Sequence, residues 1–213
     1  MKNIKNFLSV LILVSIVLVF ILLYSKYVSS NLSEIGIETK RNNYNNQSDN
    51  YYDNFIALVI IVPVVEEILY RLGLKFSVKN TSFFILGILY TLFLFISPSN
   101  LDYNNPIILL SFLTSIIVGY FLIRFFVKRN SQRISLIYAQ KFKIIFAISV
   151  IVFAYSHFTL YENYNTLHNL IFSPIILFPY FVAGVLFGFI RIKFGLLWGC
   201  LAHMIWNFAA TIL

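Results

Sequence analysis

Glu66, Glu67 and Arg71 stand within six positions in the stretch Pro63-Val64-Val65-Glu66-Glu67-Ile68-Leu69-Tyr70-Arg71. The surrounding segment, from about Phe55 to Leu74, is otherwise apolar. A charge at the centre of a membrane helix costs about 2.5–3.5 kcal/mol on insertion scales, so three in one span need partners or a task. Two further polar clusters fall in apolar runs. His157 closes Phe153-Ala154-Tyr155-Ser156-His157, and His203 and Asn207 bound His203-Met204-Ile205-Trp206-Asn207. A carboxyl group removed from water is suited to general acid–base work. Glu66 with His157 could hold and deprotonate a water. His203 and Asn207, four apart and on one helical face, could donate hydrogen bonds to the oxyanion formed when that water attacks an amide. Glu66, His157 and His203 are also a familiar zinc set, so a divalent metal such as Zn²⁺ stays open as an alternative.

Helical geometry divides the first cluster. Glu67 and Arg71 are four apart with the glutamate on the N-terminal side, the favourable order for an ion pair. Glu66 is turned about 100° from Glu67 and is the working carboxylate of this reading. Pro63, without an N–H, predicts a break in the helix three residues earlier. Plain structural readings exist for each part. An intramembrane histidine can be a hydrogen-bonded packing residue, and a Glu–Arg pair can join helices. Three separate clusters in one small membrane domain favour a site. Arg124, near a span end, reads as a snorkelling side chain, and His168, in a polar loop, as an ordinary exposed one.

The elements that must position these groups are membrane helices. The chain has 213 residues, 60% hydrophobic and 11% charged, with mean hydropathy +0.84. Soluble domains carry about 25% charged residues, so the fold class expected is all-α, a polytopic transmembrane bundle. The net charge of +8 does not point to nucleic acid, because the basic residues sit in connections between apolar runs, as beside anionic lipid. Cys200 is the single cysteine, which rules out an intramolecular disulfide. The wealth of Phe, Tyr, Ile, Asn and Lys suggests an AT-rich bacterial genome and hence a bacterial cell membrane.

About seven spans are expected: Phe7–Tyr24, Tyr52–Leu74, Ser82–Ile96, Ile107–Val127, Ile144–Leu160, Ile171–Ile190 and Gly195–Leu213. Residues 1–50 read as an N-terminal anchor followed by a polar linker from Ser25, and residues 51–213 as the core. A signal peptide competes for the first run, which is longer than a usual signal core and lacks a following A-x-A site. Lys128 to Lys143 reads as an amphipathic interfacial stretch. Lys and Arg follow the second, fourth and sixth spans, predicting a cytoplasmic N-terminus and an external C-terminus. The H-E-x-x-H and G-x-S-x-G patterns are absent, as is a Gly-rich phosphate loop.

The order Glu66-Glu67-x-x-x-Arg71, Phe153-x-x-x-His157, His203-x-x-x-Asn207 resembles the CPBP family, the CAAX-prenyl-endopeptidase and bacteriocin-processing intramembrane proteases also called Abi. Gly184 to Asn207 is similar to the family's last motif region, and the resemblance covers about Tyr52 to Leu213. It implies a helical-bundle intramembrane endopeptidase in which Glu66 and His157 activate water. His203 and Asn207 then form the oxyanion site, and Glu67 and Arg71 support the catalytic glutamate. Leu72 departs from the glycine many relatives carry after the arginine; here Gly73 comes one later. The partners implied are the lipid bilayer and a membrane-associated peptide or protein substrate: a CAAX protein, a pheromone or a bacteriocin precursor. The family leaves metal dependence open. Two other functions fit the same residues, a non-catalytic bacteriocin self-immunity or scaffold protein and a proton-coupled transporter.

Overall fold

Apolar runs without access to water must satisfy their own backbone groups, which helices do. The computed structural model describes residues 2–34, 55–96, 106–158, 161 and 166–212, and it has no β-strand among them. The helices are α1 (Lys2–Glu34), α2 (Val62–Glu66), α3 (Val78–Ile96), α4 (Pro106–Arg129), α5 (Ser131–Ser156), α6 (Leu167–Ile176), α7 (Phe178–Phe194) and α8 (Leu196–Ile212).

Among the described residues, four helices are long and apolar enough to cross a membrane, or five if α6 and α7, bent by 45° at their junction, make one broken span. Seven runs were expected, and two of the differences have physical causes. The Glu66 segment is not one regular helix, and α8 has 17 residues, short of the ~20 that cross a bilayer upright. The expected linker also begins later, because α1 continues to Glu34. Its remainder, residues 35–50, lies outside the described residues. The stretch Lys128–Lys143 is divided between the end of α4 and the first turns of α5, which bends at Lys141 (φ −121°, ψ 26°).

The helix α7 lies at the centre, packed on α1, α5 and α8. Val10, Val14, Tyr70, Phe153, Phe187 and Ala202 form the main buried cluster with it. Phe7 meets Trp198 at the start of α8, while Tyr24 meets Phe178 at the start of α7. The chain therefore turns back at Gly195 (φ 105°), with α1 parallel to α8 and antiparallel to α7. At the outer edge, α4 packs on α3 through Phe83–Tyr120 and Phe93–Phe112. It turns Ile117, Phe121, Leu122 and Phe125 outward, an apolar face suited to lipid tails.

Candidate active site

The segment that carries the carboxylates changes its winding along its length. Ala57–Ile61 is π-helical, and the N–H of Val62 donates to Ala57, five residues back. In that register the next donor is Pro63 and the next acceptor is Leu58. Proline has no N–H, and the side-chain amide of Asn207 supplies one instead, donating from Nδ2 to the Leu58 carbonyl at 2.8 Å. A carbonyl only accepts, which fixes which amide atom faces it. One turn of α-helix, Val62–Glu66, follows. Glu67–Arg71 is π-helical again, and Leu72–Leu74 is a 3₁₀ turn. Short π turns inside helices recur at functional sites. Gly73 lets α3 pack closely here, since a Cβ on it would run into Phe84.

This winding turns both glutamates toward His203. Its Nε2 lies 3.3 Å from Glu66 Oε2 and its Nδ1 lies 3.4 Å from Glu67 Oε1. Both contacts are within ion-pair reach, but Glu66 Oε2, both Glu67 oxygens and His203 Nδ1 lack hydrogen-bond geometry with any protein group. An imidazole ring can donate to two carboxylates at once only when both its nitrogens carry hydrogen. Glu67 and His203 are enclosed, at 0% and 2% side-chain exposure. Gly199 makes that enclosure feasible, since a Cβ there would stand 2.9 Å from Glu67 Oε2.

His157 approaches Glu66 from the other side, with Nε2 3.7 Å from Oε1. Its Nδ1 faces the Phe153 carbonyl at 2.9 Å, so Nδ1 carries the hydrogen and neutral His157 presents a lone pair at Nε2. At 3.7 Å the two atoms are too far apart for a direct hydrogen bond, and the spacing lets a small polar group reach both. Glu66 and His157 are 17% and 13% exposed, so this gap is the accessible face of the cluster.

Phe153 is the common support. Its ring meets His157 at 4.8 Å and His203 at 5.7 Å, edge to face, and lies under the Arg71 guanidinium at 4.3 Å. Tyr180 stacks on His157 at 4.2 Å and Phe187 on His203 at 4.4 Å. Each imidazole is thereby held by an aromatic face.

The expected pairing of Glu67 with Arg71 is not among the described ion pairs. Arg71, fully buried, directs Nη1 to the Ser149 carbonyl and hydroxyl, each at 3.4 Å. Ser149 in turn donates to the Tyr70 carbonyl at 2.7 Å. The guanidinium is taken up by Ser149 and by the face of Phe153. Arg71 still feels the charge of both glutamates across the site. The structure thus brings Glu66, Glu67, His157 and His203 together, seats Arg71 behind them, and sets one N–H of Asn207 against the Leu58 carbonyl.

Ser149, Tyr180, Phe187 and Gly199 were not singled out from the sequence. Ser149 is the one with a signal there, a hydroxyl in the apolar run of α5. Among the described residues, no three His, Cys, Asp or Glu side chains are arranged to hold a metal ion.

Residues 123–209 match the family described as Type II CAAX prenyl endopeptidase Rce1-like. The matched part contains His157, His203 and Asn207; Glu66, Glu67 and Arg71 precede it. No curated protein and no solved structure matches the chain.

Proposed function

Because residues 123–209 carry an Rce1-like domain, which belongs to the CPBP family of intramembrane endopeptidases, we propose that this protein hydrolyses a peptide bond in a membrane-associated peptide or protein. The observation that carries the proposal is Glu66, held between His157 and His203 at 3.7 and 3.3 Å and open on the His157 side. A water in that gap gives a proton to Glu66 as its oxygen attacks the scissile carbonyl. His157 Nε2 accepts the water's other hydrogen as a hydrogen bond and aims the attacking lone pair. His203, with a hydrogen on Nε2, lies 3.3 Å from Glu66 Oε2, and that hydrogen turns to the substrate as Glu66 takes up the proton. The developing oxyanion takes hydrogen bonds from this N–H and from the second N–H of Asn207, whose first is spent on Leu58. Glu66 then passes its proton to the leaving amine. Atoms and charges balance without a covalent enzyme intermediate.

Glu67 and Arg71 do not meet substrate in this scheme. Glu67 orients His203, and Arg71 braces the segment through Ser149 and Phe153. The substrate class is a CAAX-type protein, a pheromone or a bacteriocin precursor. Basic connections gathered at the end of the bundle that holds the N-terminus of α1 support a cytoplasmic N-terminus in a bacterial membrane.

The test is cleavage of a prenylated CAAX peptide and of a hydrophobic precursor peptide by the purified protein in detergent. Cleavage that Glu66→Ala abolishes is expected. Undiminished cleavage by that variant ends the assignment, and full biological activity without cleavage transfers it to a non-catalytic immunity or scaffold role.

A further inference from the structure

At the end of α7, a cavity of about 200 Å³ opens among Leu74, Lys75, Arg191 and Ile192. Two of its four walls are cations and two are apolar. Arg191 lies in the last turn of α7. Its Nε is enclosed and has no hydrogen-bond partner. Glu67 is near enough to interact with it electrostatically, but no ion pair to Arg191 is among those described. Lys75 sits just after the 3₁₀ turn and is exposed.

The surroundings of this cavity are basic as well. Tyr138 of α5 packs on Phe76 at 5.2 Å and meets the Thr81 hydroxyl at 3.4 Å. These contacts bring the first turns of α5 to the level of Lys75. Arg133 lies on those turns, Lys128 and Arg129 end α4 just before them, and Lys193 follows Arg191. Cationic pockets between helices at one end of a membrane bundle hold anionic headgroups, because the charge is met while the acyl chains stay in hydrocarbon.

We infer that the Lys75–Arg191 cavity binds the phosphate of an anionic lipid headgroup. Lys75 reaches the phosphate from the aqueous side and Arg191 from the protein side. Leu74 and Ile192 line the glycerol and upper acyl portion.

The test is native mass spectrometry of the full chain from micelles, with phosphatidylglycerol, phosphatidylcholine or inorganic phosphate added separately. The expected result is one retained phosphatidylglycerol and no comparable retention of phosphatidylcholine. Inorganic phosphate alone is expected not to be retained. At ~1 kcal/mol per basic residue near the surface, Lys75→Gln weakens retention roughly fivefold, and Lys75→Gln with Arg191→Gln roughly thirtyfold. Lys128→Gln with Arg129→Gln, outside the cavity, leaves it unchanged. Lys75 is exposed, so its single variant keeps the test informative if the double variant does not fold. Equal retention by wild type and Lys75→Gln overturns the site. So does equal loss in the Lys128/Arg129 variant, which would mean diffuse surface charge. Retention of inorganic phosphate with phosphatidylglycerol excluded overturns the lipid as its source.

Discussion

The side-chain amide of Asn207 donates to the carbonyl of Leu58, the acceptor that Pro63 cannot serve in the π-helical register. A residue of the last helix thereby completes the backbone of the segment bearing Glu66. Asn207→Leu removes the donor and leaves that carbonyl unmet, at a cost of about 1–3 kcal/mol. Adding Pro63→Ala restores a backbone N–H to the same carbonyl. Thermal unfolding in detergent should therefore show a loss in Asn207→Leu and partial recovery in the double variant. Peptidase activity should not recover with it, because the amide's other N–H is still missing. An oxyanion donor is worth about 10²–10³ in rate, and recovery of both together would limit Asn207 to a structural part.

Glu66 and Glu67 differ in what their neutral replacements should do. Glu66→Gln keeps size and shape but cannot take a proton from water, so the rate of cleavage should fall about 10²–10⁴-fold with unfolding little changed. Glu67→Gln still faces His203 but no longer carries charge, and its loss of rate should be smaller. Single-turnover cleavage of one peptide by both variants checks the order. The reverse order would exchange their roles.

Gly199→Ala sets a methyl group 2.9 Å from Glu67 Oε2, so the end of that buried side chain must swing aside. The expected outcome is a loss of about 1–3 kcal/mol of stability. Activity should also fall, because Glu67 draws away from His203. An unchanged unfolding midpoint and rate in Gly199→Ala would count against a fixed Glu67.

Arg71→Lys keeps the charge but loses the planar group that lies over Phe153 and reaches both oxygens of Ser149. Removing one partner from a buried charged site costs about 3–5 kcal/mol when nothing replaces it, and lysine replaces it in part. The variant should unfold at lower temperature than Ser149→Ala, which loses a single hydroxyl. Equal midpoints for the two would make the stacking unimportant.

The sequence carries the cluster more clearly than its geometry. Glu66, His157 and His203 announce themselves as polar groups where hydrocarbon is expected, and they do converge. The four-residue spacing of Glu67 and Arg71 marked a shared helix face, but it did not show that Arg71 directs Nη1 to Ser149. Pro63 signalled a disturbance but not its form, because the residue that resolves it, Asn207, is 149 positions from Leu58. Tyr180 and Phe187 could not be singled out among so many aromatics. Their task depends on which ring faces which histidine, and no spacing encodes that. The length of α1 was also hidden: Ser25 to Glu34 is polar, yet helical once the chain leaves the apolar run.

The π turn at Ala57–Ile61 also makes the segment's residue count a phase setting. A π turn holds one residue more than the α turn it replaces, so removing one residue there would let the backbone relax to the α register. The turn would still close once with one residue fewer, so Glu66 would keep its place between the two histidines. A one-residue deletion within Ala57–Ile61 should thus leave the site active. A second deletion there, with no surplus residue left to give up, would rotate everything beyond by about 100° and silence the site as completely as replacing the glutamate.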